Sequence, residues 1–175
     1  HEMIGDPGRL GGETEALRLL CTLVAGPVWR IEPYHYAFRA DPSGAPELIL
    51  ESFKAARDVG ARISIHVGVG EFGRNALLEK LDAAQALKSD TTYIHCCTLN
   101  DTEWKLIRDT GGTISIAGYV EMLMGHGNPP TQKALDIGIR PSLSVDVETS
   151  VPNDFFTQMR SIFSLPARLT PSWTR

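Results

Sequence analysis

The sequence predicts an α/β fold made of consecutive βα units around a parallel sheet. Three observations carry this reading. From about residue 45 onward, short β-branched runs alternate with segments of helical period. The strand starts fall near 61, 91, 113 and 141, far enough apart to hold a strand, a helix and two loops in each unit. Gly or Pro stands at most of the junctions, where a chain changes direction. Two architectures accommodate four such units: a small doubly wound sheet, or half of an eight-stranded barrel that typically takes about 250 residues.

The first 45 residues are less regular and read as a lead-in with a helical segment. Glu47 to Asp58 carries Leu48, Ile49, Leu50, Phe53 and Ala56, with Pro46 at its start and Gly60 just past its end, the asymmetry a helix requires. Arg62-Ile63-Ser64-Ile65-His66-Val67 is a short β-branched strand, after which Gly68 and Gly70 open a loop. A helix is expected from about Asn75 to Leu87, and Thr92-Tyr93-Ile94-His95 forms the next strand. Asn100 is a helix cap, with Glu103 three residues on completing a capping box, and that helix ends near Gly111-Gly112. Thr113 to Ala117 is the third strand, followed by a loop holding Glu121, Met122, Met124, Gly125, His126 and Gly127. Pro129-Pro130 start a helix to Ile137, Pro141 to Asp146 is the fourth strand, and a last helix runs from about Asn153 to Phe163. The expected divisions are a lead-in over 1–45, an α/β body over 46–165 and an irregular tail over 166–175.

Composition limits the function. The chain has 175 residues, 42% of them hydrophobic and 22% charged, which fits a folded domain and excludes disorder. Its 17 Lys+Arg against 21 Asp+Glu give a formal charge of -4 without a basic face, which argues against nucleic-acid and anionic membrane partners. The longest apolar run, Leu19 to Val28, is interrupted by Thr22, Gly26 and Pro27 and is too short to span a bilayer. No secretory signal follows His1. Three cysteines, with Cys96 and Cys97 adjacent and no CxxC spacing, suit a reducing, cytoplasmic setting.

The last polar residues of three strands are His66, His95 and Asp146. In parallel α/β folds the C-terminal strand ends face the site, so these side chains converge although far apart in sequence. Imidazole and carboxylate suit Zn²⁺ or Fe²⁺, and a catalytic metal keeps one position open for water. The alternative for each alone is structural: a hydrogen-bonded histidine, or an aspartate capping a turn. No GxGxxG or GxxxxGK[ST] follows a strand, so the phosphate loop of a nucleotide-binding sheet is lacking.

Ile65-His66-Val67, Tyr93-Ile94-His95-Cys96 with Leu99 and Glu103, and Leu143-Ser144-Val145-Asp146 before Pro152-Asn153-Asp154 resemble the fifth, sixth and eighth strands of the amidohydrolase superfamily. The branch they are most similar to is the cytosine/adenosine deaminase-like and chlorohydrolase-like metal-dependent hydrolases. Gly111-Gly112-Thr113, Met124-Gly125-His126-Gly127 and Phe156-Thr157-Gln158-Met159-Arg160 extend the resemblance over about residues 45–163. It implies the second half of a (β/α)₈ TIM-type barrel, so that the 46–165 body is a partial amidohydrolase-like barrel. It further implies one Zn²⁺ (or Fe²⁺) per full-length chain, with His66 and Asp146 as metal ligands. His95 would be catalytic, polarising the substrate, and Asp146 would also accept a proton from the metal-activated water. Glu121 and His126, in the loop after the third strand, would line a small-molecule substrate pocket. The implied reaction is hydrolysis of a C–N bond, of deaminase or amidohydrolase type.

Two positions depart from the family pattern. Where many of these deaminases carry a proton-shuttling Glu three residues after the fifth-strand His, this chain has Val69, with Glu71 the nearest carboxylate. The first-strand His-x-His pair has no counterpart, since His1 and His35 are isolated. The chain therefore reads as the C-terminal part of a longer enzyme, its open sheet edges covered by the missing N-terminal half or by a homo-oligomer. The competing reading is a non-catalytic α/β binding module, or an inactive fragment lacking the His-x-His ligands.

Overall fold

The computed structural model describes residues 28–31 and 45–169; most of the lead-in, with His1 and His35, and residues 170–175 of the tail lie outside the described residues. The chain divides into two compact units, residues 1–65 and 66–175. In the first, strand β1 (Val28–Ile31) runs parallel to β2 (Arg62–Val67), with Val28 opposite Arg62 and Ile31 opposite Ile65. β1 lies inside the stretch read as irregular; four residues directly after Pro27 are too few to show a period.

Helix α1 (Ala45–Asp58) begins two residues earlier than the sequence suggested. It buries Ile49, Phe53 and Ala56, which recur on one helical face, and lays the Arg57 guanidinium 5.3 Å from the Phe53 ring centre. Its end is set by Gly60. At φ 69 this glycine turns the chain so that Ala61 N donates to Ala56 O (2.9 Å) and Gly60 N to Arg57 O (3.0 Å), closing the last turn before β2.

The second unit starts at the end of β2 and carries three further parallel strands: β3 (Thr91–His95), β4 (Thr113–Ile116) and β5 (Ser142–Leu143). β4 lies between β3 and β5, with Thr92 opposite Thr113 and Ser115 opposite Ser142. Cys96 N donates to Val67 O (3.0 Å), tying the end of β2 to the end of β3. The connections are helices α2 (Leu77–Ala83), α3 (Asp101–Thr110), α4 (Gly118–Leu123) and α5 (Thr131–Asp136), and α6 (Phe155–Leu169) follows β5.

The helix expected from Asn75 to Leu87 is the shorter α2. Asn75 Oδ1 accepts from Leu77 N (3.1 Å) and so turns the chain before the helix starts, and Gln85, at φ 56, turns it after. α3 matches its sequence signal: Asn100 Oδ1 accepts from Thr102 N and Glu103 N, Glu103 Oε2 accepts from Asn100 N, and Gly111 at φ 76 ends the helix. The other carboxylate oxygen of Glu103 accepts from Leu78 N (3.2 Å), which joins α3 to α2. Leu77, Leu78, Leu81, Trp104 and Ile107 are buried on these two helices, and Tyr93, Ile114 and Ile116 on the strands.

Three expectations are corrected. The segment after β4 is not an open loop but begins with α4, whose unsatisfied N-terminal amide at Ala117 is bonded by Glu121 one turn on instead of by a cap residue. β5 spans two residues rather than six, because Pro141 offers no amide to the ladder and Asp146, at φ 66, turns the chain away after Ser144 N has bonded Ile116 O (2.8 Å). The last helix continues through Pro166 to Leu169, into the stretch read as tail. α4 packs on α6, where a Cβ on Gly118 would collide with Ile162. Among the described residues no helix is long and apolar enough to cross a membrane.

Candidate active site

The centre of the site is His95, the last residue of β3, 1% exposed and held at φ 71. A positive φ is unfavourable for a side chain bearing a Cβ, and such residues persist where the surroundings hold them, often at functional sites. Cys96 (φ 59) and Asp146 (φ 66) share the conformation, so two of the three strand-end residues singled out in the sequence sit on strained backbone.

Each of the other residues expected at the site lies against His95. The His66 ring, at the end of β2, meets it edge-on with ring centres 5.0 Å apart. The His126 ring meets it edge-on at 4.7 Å. Asp146 Oδ2, just beyond β5, is 3.9 Å from His95 Nε2, and Glu121 Oε1, from α4, is 3.1 Å from His95 Nδ1. His66, His95, Glu121, His126 and Asp146 therefore form one cluster within the second unit. Glu71 is not part of it: this carboxylate is exposed and accepts from Arg74 Nε (3.2 Å).

Glu121 is fully buried, and its Oε1 also accepts from Ala117 N (2.8 Å). Sequence reasoning placed it among substrate-lining loop residues and missed its contact with His95. The available signal was local: a carboxylate between Val120 and Met122, in an apolar stretch, needs polar partners if that stretch is buried. His126 is held by its backbone, its N donating to Glu121 O (2.8 Å). Burial, the neighbouring His95 and, less, His66 lower the His126 pKa against an opposing pull from Asp146, so it favours the neutral ring. Its Nδ1 is buried with no hydrogen-bond partner among the described residues.

Cys96 and Cys97 carry no nucleophile. Burial, then the adjacent Cys97 and the Glu121 and Glu103 carboxylates, push the Cys96 thiol well up; burial and Glu121 do the same for Cys97. Both remain thiols at neutral pH.

The strand-end loops are tied to one another. Thr98 N donates to Gly68 O (3.0 Å), Thr98 Oγ1 to Gly70 O (3.0 Å), and Gly70 N to His126 O (2.8 Å). The loop after β2 folds over so closely that a Cβ on Gly73 would lie 2.5 Å from the Gly68 backbone. The polypeptide here has room only for glycine.

Two imidazoles and a carboxylate are a donor set for zinc or ferrous iron. Among the described residues, however, no three His, Cys, Asp or Glu side chains are disposed to hold a metal ion. The described residues by themselves do not make a metal site.

No protein-family model matches the chain. It is 28% identical over 135 residues to the 5'-deoxyadenosine deaminase of Methanosarcina mazei, an alignment covering 72% of this chain and 31% of that protein. Among solved structures it is similar to an adenosine deaminase from Xanthomonas campestris with bound zinc, with TM-score 0.70 and 13% identity, over 90% of this chain and 37% of that one. It is also similar to an amidohydrolase from Brucella melitensis, with TM-score 0.67 and 18% identity, over 94% of this chain and 37% of that one. The chain thus spans about a third of the length of the proteins it matches. The resemblance to the amidohydrolase superfamily read from the sequence is borne out over that part, and the fold is a partial (β/α) barrel.

Proposed function

We propose, from this likeness to amidohydrolase-superfamily enzymes, that the chain is the C-terminal part of a metal-dependent hydrolase that cleaves a C–N bond in a small molecule by deamination or amide-type hydrolysis. The observation that carries the reading is the convergence of His66, Glu121, His126 and Asp146 on His95, at or near the C-terminal ends of parallel strands. Side chains gathered at those ends are where (β/α) barrels perform their chemistry. His66 and Asp146 are proposed as two ligands of one zinc or ferrous ion, the rest of the set coming from outside the described residues. Such an ion, when bound, supplies a hydroxide at neutral pH.

The protein groups have separate tasks. His95 Nε2 faces Asp146 Oδ2, and an imidazole and a carboxylate so disposed can hold and hand on a proton at the reacting atoms. His126, favouring the neutral ring, offers a nitrogen to substrate. Burial of His95 and Glu121 keeps water from competing for the central hydrogen bond.

The test is metal content together with ammonia release. The full-length protein is expected to carry stoichiometric zinc or iron, to lose it in His66→Ala and Asp146→Ala, and to release ammonia from members of a panel of amino-substituted purines, pyrimidines and amides. Metal-free protein at full folded yield that releases no ammonia would overturn the proposal in favour of a non-catalytic α/β binding module.

A further inference from the structure

We propose that Glu121 is a positioning residue that keeps a proton on Nδ1 of His95, so that every proton His95 exchanges passes through Nε2, the nitrogen facing Asp146. The assignment follows from the bonding at one oxygen. Glu121 Oε1 lies 2.8 Å from Ala117 N, and a backbone amide can only donate, so Oε1 is an acceptor there. The same oxygen lies 3.1 Å from His95 Nδ1; as a carboxylate, Glu121 has no proton to give and accepts this second bond too, which makes Nδ1 the N–H partner. Both side chains are buried, so water does not replace either bond and the choice of nitrogen is enforced.

The backbone makes Glu121 hard to displace. It stands one turn after Ala117 in α4, and its side chain folds back to the amide that the helix start leaves unsatisfied. His126 N is bonded to Glu121 O, so the residue that orients one face of His95 also anchors the ring packed on another. The Nε2 side is left for chemistry: Asp146 Oδ2 stands 3.9 Å away, too far for a direct hydrogen bond. In an imidazole, the partner of one nitrogen sets the role of the other.

For its catalytic meaning this inference rests on the hydrolase reading, but its test does not. Nitrogen-15 and proton spectra of His-labelled full-length chain, recorded without substrate, report which ring nitrogen carries a protected proton. A protected His95 Nδ1 proton is expected in the wild type. It is expected to persist in Glu121→Gln, because Ala117 N still needs an oxygen and holds the amide oxygen in the Oε1 position. It is expected to be lost from Nδ1 in Glu121→Leu, which offers that nitrogen no acceptor. A wild-type His95 with bare Nδ1 overturns the proposal, as does an Nδ1 proton equally protected in a folded Glu121→Leu chain. If Glu121→Leu does not fold, the wild-type and Glu121→Gln spectra decide: Nδ1–H in both supports the proposal, and a bare Nδ1 in either overturns it. Loss of hydrolysis in every assay would sink the functional reading and leave this result standing.

Discussion

Replacing Asp146 separates the strain of its backbone from the chemistry of its carboxylate. At φ 66, a residue with a Cβ pays about 1–2 kcal/mol for the left-handed conformation. Aspartate and asparagine tolerate it better than most through short polar side chains that bond nearby backbone. Alanine keeps the Cβ and loses that help; glycine has no Cβ, and its drawback is roughly 0.5–1 kcal/mol of extra chain entropy. The bond from Asp146 N to Ser144 Oγ (3.1 Å) is made by the backbone and survives every substitution. Asp146→Gly is therefore expected to be more stable than Asp146→Ala by up to about 1 kcal/mol, or about 2–4 °C in unfolding midpoint for a chain of this size. Asp146→Asn is expected to stay near wild type in stability. All three remove the carboxylate beside His95 and are expected to lose metal and hydrolysis alike. Urea and thermal unfolding of the 175-residue chain read the stabilities. An alanine variant as stable as the glycine variant would refute the strain argument, whatever happened to activity.

Two further outcomes are expected. Asn100→Ala removes the acceptor for Thr102 N and Glu103 N and should lower stability by about 1 kcal/mol, whereas Asn100→Ser, which keeps an acceptor, should restore most of it; equal midpoints for the two would refute the cap. Burial, outweighing bonds from the Asn100 and Leu78 amides, raises the Glu103 pKa, so the folded chain holds that proton more tightly than the unfolded chain. The stability so gained is fully present below the unfolded value of about 4.3 and is lost as pH rises through the raised folded value. Wild type should thus gain on Glu103→Gln as pH falls through that window, and a difference that is flat or shrinks counts against the burial argument.

How much was legible depends on how local the deciding interaction is. The capping box at Asn100 and Glu103 was plain because both its halves lie within four residues. The β2 boundaries, Arg62 and Val67, were plain because β-branched Ile63, Ile65 and Val67 recur at every second residue and the run ends at glycine. Convergence at His95 was legible in His66 and Asp146, since strand ends in a parallel sheet can be inferred from order alone. The role of Glu121 was not, because its partners are a ring on β3 and an amide that a helix start left bare. β5 was overestimated for a related reason: its alternating sequence gives no sign that Asp146 will turn the chain.

The bonds among the loops after β2 and β3 and the segment at His126 bear on how this surface can change. Loops at barrel mouths usually vary independently, each an interchangeable part on a fixed frame. Here Gly68 and Gly70 are bonded to Thr98, and Gly70 to His126, so the segments behave as one piece. Lengthening the β2 loop by a residue would pull on the other two and on the histidines they carry. Under the proposed hydrolase reading, a swap of that loop alone from a relative is a poor way to alter substrate preference; the three segments have to be exchanged together, or change confined to side chains that take no part in the bonds.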